Sequence, residues 1–456
     1  IMISVILISL GLFLLSAQFL KLQWKSRGFP PGPTPFPIVG SMWWVKFRTD
    51  HGSLRKMAKT YGNICTLWLG HRPVVVLYGF QAVKDGLTTN SEDVSGRLQT
   101  FVFNKLANGK GILVSNGLIW KQQRHFGIGA LRKLGMGNKG MERGIQTEAH
   151  YLVEFFRDKD GKAVDPSFPI VHAVSNVICA VVFGHRFSLE DETFRQLIEA
   201  YNAISLQNLC SAQVPVFFSA LQKYFSFKYS DCCLSQCCYT DVPHFTFLLD
   251  TYNMVQSVFD LFFGGTETTA TTLRWALLYM LAYPDIQEKV QKELDAVLSP
   301  SHLICYEDRK KLPYTNAVVH EILRFSSIVL ITIPRETVKD TTVLGYRLPK
   351  VQISFVFQYS TLFDPDYWET PHQFNPGHFL DKDGNFVTRE AFLAFSAGHR
   401  ACLGEVLAKM ELFIIFCRLL QTFKFTTPEG VKEVNTDFVF GSTMKPHPYK
   451  LCAVPR

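Results

Sequence analysis

The sequence predicts a mainly helical protein with a minor strand component and an apolar helix at its N-terminus. Apolar residues recur at helical spacing through most of residues 117–325 and again from Glu405 to about Leu420. Short strand-like runs are confined to the early part of the chain and to the region after residue 330. Residues 1–20 contain no charged side chain, and a helix needs about 20 apolar residues to cross a bilayer.

The N-terminal run is followed at once by Lys21, Lys25 and Arg27. The positive-inside tendency places these cations, and the domain after them, on the cytoplasmic side. The run lacks a basic n-region and exceeds an ordinary signal h-region, which favours an anchor over a cleaved signal peptide. Ile1 precedes Met2, so the N-terminus is expected to be incomplete or imprecisely defined. Phe29-Pro30-Pro31-Gly32-Pro33-Thr34-Pro35 cannot continue a helix and holds an extended, stiff segment. The expected organisation is an anchor over 1–22, a basic and proline-rich hinge over 23–37, and one domain over 38–456. Strands are expected at 66–69 and 74–77. Helices follow at 117–134, 142–159, 168–184, 190–206, 251–282, 284–297 and 313–325. Pro284 and Pro313 sit where helix starts are expected. Strands near 342–348 and 351–357, an aromatic coil at 364–379, and strand-like runs near 421–426 and 447–454 complete the pattern.

Composition narrows the function classes. Of the 456 residues 47% are hydrophobic, enough for a sizeable core. The net charge of +8 is dispersed, which argues against nucleic acid and suits anionic lipid or an acidic protein. Eleven cysteines are present, and most lie singly as small buried hydrophobes would. Cys232, Cys233, Cys237 and Cys238 cluster without the spacing of a zinc site, and a membrane-facing or palmitoylated patch is an equal reading.

Four segments carry chemistry. In Phe395-Ser396-Ala397-Gly398-His399-Arg400-Ala401-Cys402-Leu403-Gly404, two glycines let the backbone wrap one sulfur. Helix-start N–H groups and nearby Arg400 are expected to favour a thiolate ligand; a small buried cysteine at a helix start is the plainer alternative. Gly264-Gly265-Thr266-Glu267-Thr268-Thr269 sits inside a long apolar helix although two glycines cost about 1 kcal/mol each there. Such conflict tends to mark a functional site, though a glycine-kinked core helix with threonines bonded to their own carbonyls explains it too. Glu321 and Arg324 are three apart on one helix face and pair directly. Trp120 and Arg124 share a face, and Arg suits bidentate carboxylate recognition.

The cysteine segment resembles the haem-binding loop of the cytochrome P450 family, Phe-x-x-Gly-x-Arg-x-Cys-x-Gly, at all five fixed positions. The glycine–threonine segment resembles that family's oxygen-binding motif, and Glu321-Ile322-Leu323-Arg324 its E-x-x-R pair. Ser175-Asn176-Val177-Ile178-Cys179, Phe183-Gly184 and the wording of 264–269 look like the vertebrate microsomal family 2 group. The resemblance implies the helix-rich P450 fold with small sheets and a haem b whose iron is ligated by Cys402. Phe395, Gly398 and Gly404 would shape the loop, and Trp120, Arg124, Arg97 and Arg400 would hold the haem. Thr268 and Glu267 would deliver protons for O–O cleavage. Glu321, Arg324 and His378 would be structural, locking the coil Phe374–Phe379. It further implies a monooxygenase acting on fatty acids, steroids or xenobiotics, with NADPH as indirect electron source. The implied reductase is NADPH-cytochrome P450 reductase, with cytochrome b5 as a candidate second donor. The expected location is the endoplasmic reticulum membrane with the domain on the cytoplasmic face. Lys121, His125, Arg132, Lys133 and Lys409 offer a basic docking face, or simply a solvated one. Pocket residues are expected near Phe101–Leu106, Phe259–Phe263, Ile328–Ile333 and Gly441–Thr443.

Three departures stand out. The chain is short for the group between about 206 and the glycine–threonine segment. Val351-Gln352 replaces a usual Gly-Thr, and Phe363 stands where a His is common. They motivate a rival reading, a degraded membrane-bound P450-like protein that binds haem poorly or binds it without turnover. A haem-thiolate isomerase or peroxidase that needs no reductase is a third reading, disfavoured by the intact Glu267-Thr268 pair.

Overall fold

A computed structural model describes residues 2–45, 51–100, 104, 107–133, 139–192, 194–195, 198 and 251–456. Most of the expected helix over 190–206, most of the 101–106 pocket segment, the short region and the cysteine cluster lie outside the described residues. The described chain divides into two compact units. One comprises Ile1–Leu98, Leu330–Trp368 and Phe395–Ala401; the other comprises Gln99–Val329, Glu369–Ala394 and Cys402–Arg456.

The first unit begins with helix α1 (Met2–Ser26), which has a mean hydropathy of 2.3 over its most apolar stretch. It runs four residues past the expected boundary at 22, because Gln23 and Lys25 find partners beyond it. Gln23 donates to Pro35 O at 3.0 Å, and Lys25 lies 5.5 Å over the Trp68 ring. Among the helices absent from the sequence reading are α2 (His51–Tyr61) and α3 (Phe80–Thr88). A five-stranded sheet runs in the order β1 (Ile64–Leu69), β2 (Arg72–Leu77), β7 (Ile353–Val356), β4 (Arg335–Glu336), β3 (Gly96–Arg97). β2 and β7 are parallel and the other pairs antiparallel. Val74, Val75 and Val76 are fully buried, so β2 reads as a continuous apolar run rather than an alternating one. The expected strand at 342–348 is a hairpin, β5 (Thr341–Val343) with β6 (Tyr346–Leu348). Leu54, Met57, Cys65, Leu67, Val76 and Phe357 form this unit's core cluster.

The second unit is helical: α4 (Gly117–Lys133), α5 (Lys139–Arg157), α6 (Ser167–Phe183), α7 (Thr251–Ala282), α8 (Pro284–Val297), α9 (Pro313–Ser326) and α10 (Glu405–Thr422). Proline opens α8 and α9, as expected where the missing N–H has no helical partner anyway. The long α7 packs along α6, and Gly265 permits it: an added Cβ would lie 2.5 Å from Ile178 Cδ1. Helix α10 is apolar almost all round, the pattern of a core helix. Two small ribbons finish the unit, β8 (Phe423–Thr426) with β11 (Cys452–Pro455), and β9 (Phe438–Val439) with β10 (Lys445–Pro446).

The unusual Val351 occupies a backbone that glycine would suit. Its φ is +66°, a left-handed conformation unfavourable for a β-branched residue. Its N–H donates to Thr337 O at 2.9 Å, and Gln352 N donates to Thr337 Oγ1 at 2.8 Å, so the turn is pinned from both sides. The valine side chain is exposed and contributes little packing. Val351→Gly is expected to raise stability by about 1 kcal/mol, strain relief exceeding the added chain entropy. A thermal unfolding midpoint that falls in this variant would show the strain argument to be wrong.

Candidate active site

The first half of the cysteine loop belongs to the first unit. Gly398 has φ +71°, and a Cβ there would sit 2.0 Å from Leu87 O, so no other residue fits. Gly398–Arg400 forms one tight 3-10 turn, and His399 Nδ1 lies 2.5 Å from Ser91 Oγ. Arg400 turns its Nε to Ser95 O at 2.7 Å, and Arg97 Nη1 donates to Ile333 O at 2.8 Å. Arg335, 1% exposed, donates from Nη2 to Ser396 Oγ at 3.1 Å and to Ala397 O at 3.3 Å. Ser396 itself has φ +62°, and Arg335 holds this strained turn. Arg335 was not legible as a loop anchor, since nothing in its spacing points 61 residues ahead.

Cys402, Gly404 and α10 belong to the second unit, with Trp120 and Arg124 on α4. Cys402 is exposed to a water-sized contact, yet enough protein surrounds it for burial to dominate its thiol. Burial pushes that thiol above its ordinary value, against an opposing hydrogen bond from Gly404 N–H, while Glu405 adds to the rise and Arg124 opposes it. This corrects the expectation that helix-start amides and Arg400 make a thiolate unaided. Desolvation wins, and the neighbouring cation is Arg124. Burial in turn lowers Arg124, partly offset by Cys402, although a guanidinium stays charged. The two elements are close: a Cβ on Gly127 would lie 3.7 Å from Leu403 Cδ1. Trp120 is 3% exposed, and the next turn of α4 is tied to α7 by Ser257 Oγ donating to Gln123 Oε1 at 3.0 Å.

The glycine–threonine segment continues α7 unbroken. Thr268 Oγ1 donates to Gly264 O at 2.7 Å, leaving its lone pairs to accept a further hydrogen bond. Glu267 is buried. Its Oε1 accepts from Thr443 Oγ1 at 2.7 Å and pairs with Lys445 Nζ at 3.0 Å, both partners on the segment that carries β10. The sequence reading had Glu267 serving Thr268 and missed Lys445, because the two residues lie far apart in the chain. The two glycines divide their work. Gly265 packs on Ile178, whereas a Cβ on Gly264 would meet nothing within 4 Å. One turn earlier, Phe259 and Phe263 stack at 5.9 Å.

Glu321 and Arg324 on α9 are both 0% exposed. Their contact is bidentate, Arg324 Nε to Oε2 at 2.8 Å and Nη2 to Oε1 at 2.7 Å. Arg324 also donates to Pro371 O at 2.9 Å and Gln373 O at 3.0 Å, and Asn375 N donates to Glu321 Oε1 at 2.8 Å. His378 Nδ1 faces both carboxylate oxygens at 3.2 Å, while its Nε2 accepts from Thr370 N at 3.2 Å. That arrangement suits a ring with its proton on Nδ1.

The cytochrome P450 family model matches residues 30–237 and 246–453. The chain belongs to the cytochrome P450 family. Human cytochrome P450 2J2 is 38% identical over 479 positions, covering 97% of this chain and 94% of the relative. Cytochrome P450 2K1 of Oncorhynchus mykiss is 40% identical, covering 94% and 92%, and cytochrome P450 2C70 of Rattus norvegicus is 36% identical, covering 98% and 99%. The alignment to 2J2 is longer than this 456-residue chain, so the relative carries residues that the chain lacks. These are family 2 P450s, and they establish a haem- and iron-binding monooxygenase lineage.

The P450 family implies haem with iron ligated by a cysteine thiolate. The donors here fit it. Cys402 presents an accessible sulfur beside a cation, and added Cβ atoms on Gly264 and Gly404 would each meet open space. A thiol raised by burial would release its proton to solvent when a metal ion takes its place, since the ion supplies the positive charge.

A further residue escaped the sequence reading. Asp260, one turn before Gly264, accepts from Ile112 N at 2.6 Å, Leu113 N at 2.9 Å and Gln256 Nε2 at 3.0 Å. It fastens the segment ahead of α4 to α7, and burial raises its carboxyl to about 6. An acid raised on folding stabilises below its unfolded value, near 3.8, and loses that stability as pH rises through about 6. Wild type is therefore expected to gain on Asp260→Asn by about 2 to 3 kcal/mol as pH falls from roughly 7.5 toward 4. A pH-independent difference in denaturation midpoints would refute this. Separately, Glu321→Ala leaves Arg324 buried and unpaired, at a cost of about 3–5 kcal/mol. Its expected readout is loss of bound haem on purification; normal haem content would overturn the structural role.

Proposed function

We propose that this chain is a haem-thiolate monooxygenase inserting one oxygen atom from O2 into a lipophilic substrate, a fatty acid, steroid or xenobiotic. Electrons would come from NADPH through NADPH-cytochrome P450 reductase, with cytochrome b5 a candidate second donor. The observation that carries this reading is the accessible but desolvated Cys402 beside Arg124, in a chain of the P450 family. Bound through a thiolate, haem supplies the oxygen chemistry, since the sulfur's electron density favours O–O cleavage over O2 carriage.

The protein's part is placement. Trp120 and Arg124, with Arg97 and Arg400, would bind the carboxylates of the cofactor. Phe395, Gly398 and Gly404 would set the loop that presents the sulfur. Thr268, already donating to Gly264 O, is ready to accept a hydrogen bond from a water and must rotate its proton away to pass one on. Glu267 would feed that chain after loosening from Lys445. Phe259, Phe263 and neighbouring apolar side chains would favour substrates by shape. Glu321, Arg324 and His378 would keep the fold around the loop.

The apolar helix Met2–Ser26 supports an anchor in the endoplasmic reticulum membrane, and the cations at its C-terminal end, Lys21, Lys25 and Arg27, support a cytoplasmic domain, over 38–456. Lys121, His125, Arg132 and Lys133 on α4, with Lys409 on α10, would offer the basic face to the reductase. Lys409 is already paired with Glu405 at 2.7 Å.

The test is the carbon monoxide difference spectrum of the dithionite-reduced protein. A strongly red-shifted Soret band is expected, lost in Cys402→Ser, with substrate turnover dependent on NADPH and reductase. Only a shorter-wavelength band would favour the degraded P450-like reading. Turnover without reductase would favour the isomerase or peroxidase reading, and no haem band would sink the proposal.

A further inference from the structure

The segment joining α8 to α9 carries three potential metal ligands that the P450 reading does not use. His302, Cys305 and Asp308 recur every third residue on a chain that folds back into the 3-10 turn Tyr306–Lys310. Their ligand atoms all lie within 4.8 Å of one another. His302 Nε2 lies 2.8 Å from Asp308 Oδ2, and the same oxygen accepts from Cys305 N at 2.9 Å. The loop is fixed on both sides. Gln146 Nε2 of α5 donates to Ile304 O at 2.8 Å, Glu142 of α5 accepts from Tyr306 N, and the Tyr306 ring meets Phe413 of α10 edge-on at 6.0 Å.

We propose that His302, Cys305 and Asp308 form a binding site for one borderline divalent cation, zinc in the first place. One nitrogen, one sulfur and one oxygen is a donor set that zinc accepts, whereas Mg²⁺ and Ca²⁺ want oxygen alone and Cu(I) wants sulfur. Tetrahedral bonds of about 2.0 to 2.3 Å place ligand atoms roughly 3.3 to 3.6 Å apart. The 2.8 Å His–Asp contact must therefore open slightly, and the widest separation must close by about 1 Å. The His302 side chain is 36% exposed and free to adjust, while Asp308, 6% exposed, is the fixed point. The exposed side leaves the fourth position to water. Binding replaces the Cys305 thiol proton, which leaves to solvent, and His302 coordinates through Nε2 with its own proton on Nδ1. Asp308 and nearby Glu142 supply negative charge around the cation. The site would clamp the connection that leads into α9. The plain alternative is that Asp308 only caps the 3-10 turn through its reciprocal bonds with Cys305.

The purified, haem-loaded full chain is equilibrated with Zn²⁺, dialysed and assayed for metal, beside His302→Gln and Cys305→Ser. Wild type is expected to retain one more zinc equivalent than either variant. Its zinc-edge absorption, separate from that of iron, should contain one sulfur at about 2.3 Å that both variants lose. The carbon monoxide spectrum of each variant controls for folding, and His302→Gln, at a partly exposed position, keeps the test open if Cys305→Ser misfolds. Equal zinc content and identical edge spectra in wild type and variants would leave the cluster as a turn cap and overturn the site. The result is independent of whether the chain turns over any substrate.

Discussion

Two opposite full charges, Glu321 and Arg324, sit at 0% exposure on one helix face. Buried charges are tolerated only when every lone pair and proton finds a partner. The pair alone does not meet that condition. The carbonyls of Pro371 and Gln373, the N–H of Asn375 and the ring of His378 complete it. A stretch with little regular structure, residues 369–378, is thereby shaped by electrostatics rather than by a hydrogen-bond ladder. Aromatic packing then builds on it: Phe374 stacks on Tyr283 at 5.0 Å and meets Tyr279 at 4.9 Å. Burial raises both tyrosines, so their rings act there as neutral apolar bodies.

Much of this was legible in the sequence. The end of α7 at 282 and the bounds 284–297 of α8 coincide with the expected ones, because periodicity, a starting proline and apolar length agree there. Helices α2 and α3 escaped because they are short and polar on one side. The motif residues were legible because each sits at a fixed short spacing. What escaped were distant partners outside any motif: Arg335 on the cysteine turn, Asp260 on the segment before α4, and Lys445 on Glu267. Local patterns carry no information about such contacts. Burial of a charge is the only signal that calls for them, and burial is a property of the folded chain.

The cysteine illustrates the same limit. Local rules favour a thiolate, since amides and a cation lie close by. In the folded protein desolvation outweighs them and pushes the thiol above its ordinary value. A preformed free thiolate would be an unpaired charge in a poorly solvated place. Arg124 lies near the sulfur but opposes the rise only in part.

Glu267 presents the complementary case. A proton donor must reach its acceptor and must not be held too firmly elsewhere. Here the carboxylate is held by Lys445 at 3.0 Å and Thr443 at 2.7 Å, with Lys445 only 6% and Glu267 only 5% exposed. Separating a pair so little hydrated costs far more than separating a surface pair. Proton delivery from Glu267 would therefore wait on movement of the segment around Thr443 and Lys445. That segment is already coupled to α7 elsewhere, since Trp275 Nε1 donates to Met444 O at 2.8 Å. The same short segment that caps the acid also braces the helix that carries it, and the freedom of the acid is set by how tightly that segment is held.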